Sequence, residues 1–294
     1  MSRMGYPYSA RGGDSSGQQR SSGFKIRLII AAVVALFAII SYYGRPGDEN
    51  QITGQTQRVA MAEEADEIRM GLAARQEMAA QFGGVDSDRD AQALVNKIGE
   101  ELLRALDESL EPGGRANPYR EAFTFTLLDD TKTVNAFALP GGQIFITRAL
   151  LTALETEGQL AGVLGHEIGH VIERHSNQQM AKQQFFQGLA AAGGIAGGDA
   201  QSARMSQVVA QMASMKYGRD DELQSDEWGI RLTAMAGYNP RAMIGVMEIL
   251  EKASGGGGQP EFMSTHPSPA NREQRIEEMI KREFPNGVPT GLKK

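Results

Sequence analysis

Residues 166–170 read His-Glu-Ile-Gly-His. On a helix, His166 and His170 leave the same face one turn apart, so both imidazoles can reach one zinc ion. Glu167 lies about 100° round the helix from His166, close enough to act on a metal-bound water without being a ligand. The whole chain carries four histidines, so two at this spacing is a specific signal. The plainer alternative is a surface helix that happens to hold two histidines. The flanks argue against it. Thr156 and Gln159 fit a capping box. Leu160, Val163, Leu164, Ile168, Val171 and Ile172 cover more than one face. Such a helix crosses the centre of a domain while holding its polar groups toward a cleft.

A catalytic zinc usually takes three protein ligands and keeps one position open. Residues 217–229 read Tyr-Gly-Arg-Asp-Asp-Glu-Leu-Gln-Ser-Asp-Glu-Trp-Gly. Glu222 and Asp226 are spaced i, i+4 on an expected helix and share a face. One can bind the metal while the other accepts a hydrogen bond from the distal nitrogen of a ligating histidine. Alone, this stretch reads as an acidic, solvated helix face. The upstream histidine pair shifts the balance toward a metal.

The other two histidines differ in setting. His175 follows His166 by nine residues, which puts it on the opposite side of a straight helix and predicts a structural role. His266 lies in Ser-Thr-His-Pro-Ser-Pro, where Pro267 favours extended backbone. A loop histidine beside an open metal site can donate to a developing oxyanion, or fill the fourth metal position and exclude water. A surface or helix-entry histidine is the bland reading. Residues 134–147, Val-Asn-Ala-Phe-Ala-Leu-Pro-Gly-Gly-Gln-Ile-Phe-Ile-Thr, predict a β-hairpin turning at Pro-Gly-Gly.

The sequence resembles the M48 family of zinc metallopeptidases, whose relatives include membrane-bound quality-control proteases and periplasmic envelope-maintenance proteases. The matching residues are His166-Glu167-Ile168-Gly169-His170-Val171 with Arg174-His175, then Glu222 with Ser225-Asp226, then His266-Pro267 with Arg272. The family pattern E-x-E-A-D stands here as Glu-Leu-Gln-Ser-Asp, which keeps its first and last residues. The resemblance runs from about Met61 to Phe284. It implies one Zn²⁺ per chain on His166, His170 and Glu222, with Asp226 orienting a zinc-bound histidine. It also implies a cleft role for His266. Asn135, Ala136 and Phe137 match a cleft-bordering strand that pairs with an extended peptide substrate, for which backbone hydrogen bonds supply a physical reason. An ordinary structural hairpin is the alternative, and the two roles are compatible.

Leu28–Ile40 is an unbroken run of thirteen apolar residues. Arg3, Arg11, Arg20, Lys25 and Arg27 precede it, against the single acid Asp14. That excess of basic residues keeps the N-terminal side cytoplasmic and exports the rest. No small-x-small cleavage site follows, so an uncleaved anchor is expected. The chain has no cysteine and a net charge of −6, more acidic still beyond the basic leader. Disulfides are excluded, and nucleic-acid binding has no support.

The expected organisation is a disordered leader (1–23), a transmembrane signal-anchor (24–43), a linker (44–59), the peptidase domain (60–284) and a tail (285–294). Within residues 188–200, four glycines in six positions predict a break in any helix, in a mobile or passive connector between the two ligand-bearing helices. The fold class expected is α+β, mostly helical. It is a zincin-like metalloprotease domain with a small β-hairpin or sheet at the cleft, preceded by one transmembrane helix. The function expected is a metalloendopeptidase of the inner membrane, single-pass and exposed on the periplasmic side. It would cleave misfolded or envelope proteins by attack of a zinc-bound water with Glu167 as general base. A zinc-containing envelope chaperone or scaffold with a shut site is the competing reading, against which an intact Glu167 argues.

Overall fold

The computed structural model describes residues 16–44, 46–198, 217–254, 261–266 and 271–294. Most of the expected leader, the stretch Gly255–Gly258, and Pro267 lie outside the described residues. The chain divides into two compact units: Met1–Arg45 with Phe185–Met212, and Pro46–Gln184 with Ala213–Lys294.

The smaller unit holds helix α1 (Ser16–Tyr43) and the C-terminal part of α6 (His175–Gly197). Gly23–Tyr43 of α1 is long and apolar enough to cross a membrane, with a mean hydropathy of 2.4 over its best window. Helix α6 corrects the expected break. It runs without interruption through Gly188, Gly193 and Gly194 and ends at Gly197, before Gly198 turns left-handed (φ +70°). Gly188 is packed, since an added Cβ there would meet the Cβ of Ala38 at 2.8 Å.

The larger unit opens with a two-stranded ribbon, β1 (Asp48–Glu49) and β2 (Thr56–Gln57). Its connecting turn sends Ile52 into the core, and Asn50 Nδ2 donates to the Ile172 carbonyl at 2.7 Å. Helices α2 (Glu64–Gln81) and α3 (Arg89–Leu110) follow. Asp88 caps α3 by accepting from the Asp90 and Ala91 amides. Val95, Ile98, Leu102 and Leu106 recur at helical spacing and are fully buried. A three-stranded sheet comes next, in the order β3 (Thr124–Leu128), β5 (Gln143–Thr147), β4 (Ala136–Leu139). β3 pairs parallel to β5, and β4 pairs antiparallel as the expected hairpin. Gly141 (φ +81°) makes its turn, and no other residue fits, since an added Cβ would strike the Ile68 backbone. Among the described residues, β4 is an edge strand.

After the short α4 (Arg148–Ala153) comes α5 (Glu157–Ile172), which carries the histidine pair. The Thr156–Gln159 capping box forms as the sequence predicts, and every residue from Gly158 to Ile172 is buried. Helices α7 (Arg219–Met235), α8 (Ala242–Ser254), α9 (Glu261–Thr265) and α10 (Arg272–Glu283) complete the unit. The terminal residues fold back, with the Lys293 amide donating to Gly237 O and the Asn239 amide to Lys293 O.

The pairing of α5 with α7 is the most extensive among the described residues. Small residues make it close. An added Cβ on Gly165 would lie 3.2 Å from Gly229 Cα, and one on Gly169 would lie 3.0 Å from both Ser225 Cα and Trp228 Cβ. With the backbones this near, His166 and His170, each next to a contact glycine, are brought against Asp226, next to Ser225, and Glu222, one turn before it.

Candidate metal centre

All four histidines of the chain meet at one place. His166 and His170 come from α5, Glu222 and Asp226 from the first turns of α7, and His266 from the residue after α9. Each of these side chains is at most 2 % exposed. His166, His170, Glu222 and His266 each offer one donor atom to a cluster spanning less than 4.8 Å.

The separations describe a small polyhedron. His166 Nε2 is 3.0 Å from His170 Nε2 and 3.3 Å from His266 Nδ1. His170 Nε2 is 3.1 Å from His266 Nδ1. Glu222 Oε1 is 3.1 Å from His266 Nδ1 and 3.5 Å from His170 Nε2, and its Oε2 is 3.6 Å from His166 Nε2. Four donors about 2.0–2.1 Å from a tetrahedral ion stand about 3.3 Å apart.

Proton bookkeeping supports the same conclusion. The His166 Nδ1–H donates to Asp226 Oδ1 at 2.9 Å, since a carboxylate can only accept. His175 Nε2–H donates to Gln224 Oε1 at 3.0 Å, which leaves His175 Nδ1 an acceptor. The His170 Nδ1–H donates to it at 2.9 Å. Both Nε2 atoms of the pair are therefore bare, with lone pairs facing each other at 3.0 Å. Two such lone pairs beside a carboxylate, with His266 Nδ1 at hand as a further donor atom, are a set that a metal ion fits.

The supports of the two histidines differ. Asp226 is gripped by Arg272, whose Nε and Nη2 donate to its two oxygens at 2.8 and 2.7 Å. Burial opposes ionisation of Asp226, but the Arg272 guanidinium and the His166 hydrogen bond outweigh it and hold the carboxyl far below its usual range. His170 leans instead on neutral groups. Burial depresses both His170 and His175, so the pair is uncharged. The Tyr217 ring stacks on His170 at 4.2 Å and its hydroxyl hydrogen-bonds Ser176 Oγ at 2.8 Å.

Burial also opposes charge on Glu222, yet His266, His166 and Arg272 pull it below the ordinary carboxylate value and keep it an anion. Glu167 goes the other way, since burial raises it more than the nearby histidines lower it. Both its oxygens are buried without a hydrogen-bond partner among the described residues, and Oε1 lies 3.7 Å from His266 Nε2. A carboxylate so placed has a raised basicity and nothing to spend it on within the protein.

His175 departs from its expected position. The expectation assumed one straight helix. α5 stops at Ile172, and Arg174 adopts a left-handed conformation (φ 58°) before α6 begins. That turn brings His175 back beside His170. Arg174 is fixed by Glu67, to which its Nε donates at 2.7 Å, and by the carbonyls of Met61 and Ala62. Gln224 and Tyr217 were also missed. A glutamine and a tyrosine beside charged neighbours give no local signal.

Asn135 and Ala136 are buried at the start of β4. The preceding Val134 carbonyl accepts from the Phe262 amide at 3.3 Å, and the Phe262 ring stacks on His266 at 4.4 Å, so the strand edge joins the site through Phe262. The Phe137 side chain stacks on Phe145 and packs against Phe82, in a cluster of its own.

The sequence model described as Peptidase family M48 matches residues 90–280. The beta-barrel assembly-enhancing protease of Escherichia coli K12 is 31 % identical over 188 residues, 60 % of this chain and 36 % of its own length. The mitochondrial metalloendopeptidase OMA1 of Arabidopsis thaliana is 32 % identical over 143 residues, 49 % of this chain and 29 % of its own. The metalloprotease YcaL of E. coli K12 is 29 % identical over 209 residues, 66 % of this chain and 81 % of its own. The chain thus spans about a third of the length of the first of these relatives.

Proposed function

The chain belongs to peptidase family M48, and from that premise we propose that it is a membrane-anchored zinc endopeptidase that hydrolyses peptide bonds of envelope proteins. The observation that carries this reading is the pair of bare Nε2 atoms 3.0 Å apart beside Glu222 and next to an unpartnered, basic Glu167. His166, His170 and Glu222 would hold the ion. Bound there, zinc supplies a Lewis acid that polarises a carbonyl and makes a water acidic near neutral pH.

The chain's own groups do the rest. Glu167 Oε1 or Oε2 takes a proton from the attacking water and returns it to the leaving amine nitrogen. Burial without competing donors makes it the base. Asp226 and His175 hold the two imidazoles in the tautomer that presents Nε2. The outer edge of β4 from Ala136 onward would offer backbone groups to an extended substrate strand, with Asn135, whose own amide and carbonyl are both bonded to Thr147, fixing where that edge begins and the Phe137 side chain packing away from the cluster.

His266 supports a particular form of the reading. Its Nδ1 stands with the donor atoms of His166, His170 and Glu222, so it could serve as a fourth ligand and would then keep a metal-bound water out. Movement of the segment bearing His266 opens the site and frees that imidazole to donate to an oxyanion. The anchor is α1, uncleaved, with the larger unit on the exported side as the basic leader favours. Misfolded envelope proteins as substrates fit the name of the beta-barrel assembly-enhancing relative.

The deciding experiment is Glu167→Gln. The purified variant should keep about one zinc per chain by elemental analysis and lose casein cleavage by about 10²–10⁴-fold. Undiminished cleavage with metal retained would overturn the mechanism. In the same assay His266→Ala should raise activity if Nδ1 shuts the site. A fall of about 10²–10³-fold would assign it the oxyanion role alone.

A further inference from the structure

The glycine-rich half of α6 is hard to explain in water. Residues 185–198 read Phe-Phe-Gln-Gly-Leu-Ala-Ala-Ala-Gly-Gly-Ile-Ala-Gly-Gly, without a charge and with Gln187 as the single polar side chain. Each glycine costs a solvated helix about 1 kcal/mol relative to alanine. Yet the helix persists to Gly197. In hydrocarbon the cost reverses, because every unpaired backbone group is expensive there and helix is the state that pairs them all.

The contacts with α1 run in antiparallel register. Phe185 stacks on Tyr42 at 4.8 Å and meets Tyr43 edge-on at 5.7 Å. Gly188 sits against Ala38. Gly198 (φ +70°) lies against the Arg27 guanidinium. Fifteen residues separate Tyr42 from Arg27 and thirteen separate Phe185 from Gly198. Both stretches cover about 20 Å at 1.5 Å per residue. The ends of the α6 stretch therefore match the interfacial residues of α1, tyrosines at one end and an arginine at the other. Small residues at the contact are how helices approach closely in lipid. Outward, the pair shows lipid-like surface: Val33 is 61 % and Phe37 71 % exposed on α1, and Ala191 and Gly193 are exposed on α6.

We propose that residues 185–198 of α6 lie in the acyl-chain core of the same membrane that α1 crosses, antiparallel to it, so that the chain is anchored twice. This rests on the reading of α1 as a membrane span. It departs from a single-pass anchor, and it puts the described C-terminal half of α6, which follows the metal-bearing helix α5, into lipid.

The chain has no cysteine, so single-cysteine variants of the full-length protein report one position each. Ala191→Cys, Leu36→Cys and Lys281→Cys, carrying an environment-sensitive fluorophore, would be reconstituted into phosphatidylcholine vesicles containing lipids with a nitroxide in mid-chain. Leu36 on α1 is 55 % exposed, and the Lys281 side chain on α10 is 68 % exposed. The fluorophore at 191 should lose as much intensity as that at 36, with no loss at 281. Quenching at 36 but not at 191 overturns the proposal, whether a water-soluble maleimide reaches the thiol of Ala191→Cys (a solvated helix) or not (a second copy covering it). No quenching at 36 instead removes the membrane-span reading beneath it. An oxidised Ala38→Cys/Gly188→Cys double variant should form an intrachain disulfide, which checks that the helix pair survives substitution.

Discussion

His166 and His170 leave the same helix one turn apart, yet the structure supports them by opposite means. Behind His166 stands a buried ion pair, Asp226 with Arg272. Behind His170 stands a chain of neutral groups, His175 and then Gln224. Both achieve the same tautomer. The charged arm fixes the orientation of its imidazole and ties α10 to α7. The neutral arm adds no charge to a pocket that already holds Glu167 and Glu222. One cationic ion with two carboxylates nearby is close to balanced, and a third anion behind His170 would tip it.

The largest expected effect comes from breaking the charged arm. Asp226→Ala leaves Arg272 as a buried cation without its bidentate partner, its Nη2 3.3 Å from Glu222 Oε2 and Glu167 farther off. Loss of one partner of a buried pair costs about 3–5 kcal/mol. Urea denaturation of the metal-free protein should show that loss, and zinc affinity should fall by about 10–100-fold as well. A variant that binds zinc weakly but denatures like the parent would show that the pair orients His166 without stabilising the fold.

Cutting the neutral arm should separate those two readouts. His175→Ala leaves the His170 Nδ1–H unsatisfied, worth about 1–3 kcal/mol, while zinc affinity falls by about 10–100-fold. Equal destabilisation by the two substitutions would mean that charge is not what distinguishes the arms.

This contrast was only half legible in the sequence. The histidine pair, Glu167 and the capping box are local, so spacing alone reveals them. Glu222 and Asp226 share a helix face, which shows that they act together but not which one binds. His175 was misplaced because the turn that delivers it depends on Arg174, held by Glu67 more than a hundred residues earlier in the chain. The hairpin was readable from Pro-Gly-Gly, whereas the parallel pairing of β3 to β5 leaves no local mark. The continuity of α6 was missed for a related reason. Glycine reads as a breaker in water, and its partner α1 lies far away in sequence.

Acid should also tell the arms apart in the metal-free protein. His175 and His170 are depressed in the fold, so unfolding takes up protons as pH falls below the unfolded value near 6.5, and stability declines there. Asp226 is depressed too, but its window opens only below the unfolded value of 3.8. The parent should lose stability between about pH 7 and about pH 5, and His175→Gln should lose less over that interval. His266, raised by Glu167 and Glu222 against burial, works in the opposite direction and is unchanged between the two proteins. An identical slope in both would mean that His175 is not a source of the decline.

The smallest effect is expected at the outer end of the neutral arm. Arg272, the outermost group behind His166, is itself buried. Gln224 instead lines a cavity of about 380 Å³ shared with Glu173, Trp228 and Arg231. In Gln224→Ala, a water entering from that cavity can accept the His175 Nε2–H in place of the lost amide oxygen, and a bridging water is nearly as good a partner as a direct one. Zinc affinity should therefore change by less than about tenfold, and the denaturation midpoint should barely move. Gln224→Leu fills the space without offering an acceptor, so it should behave more like His175→Ala. If alanine and leucine at 224 weaken zinc equally, no water replaces the amide, and the neutral arm depends on its outer residue as strictly as the charged arm depends on Arg272.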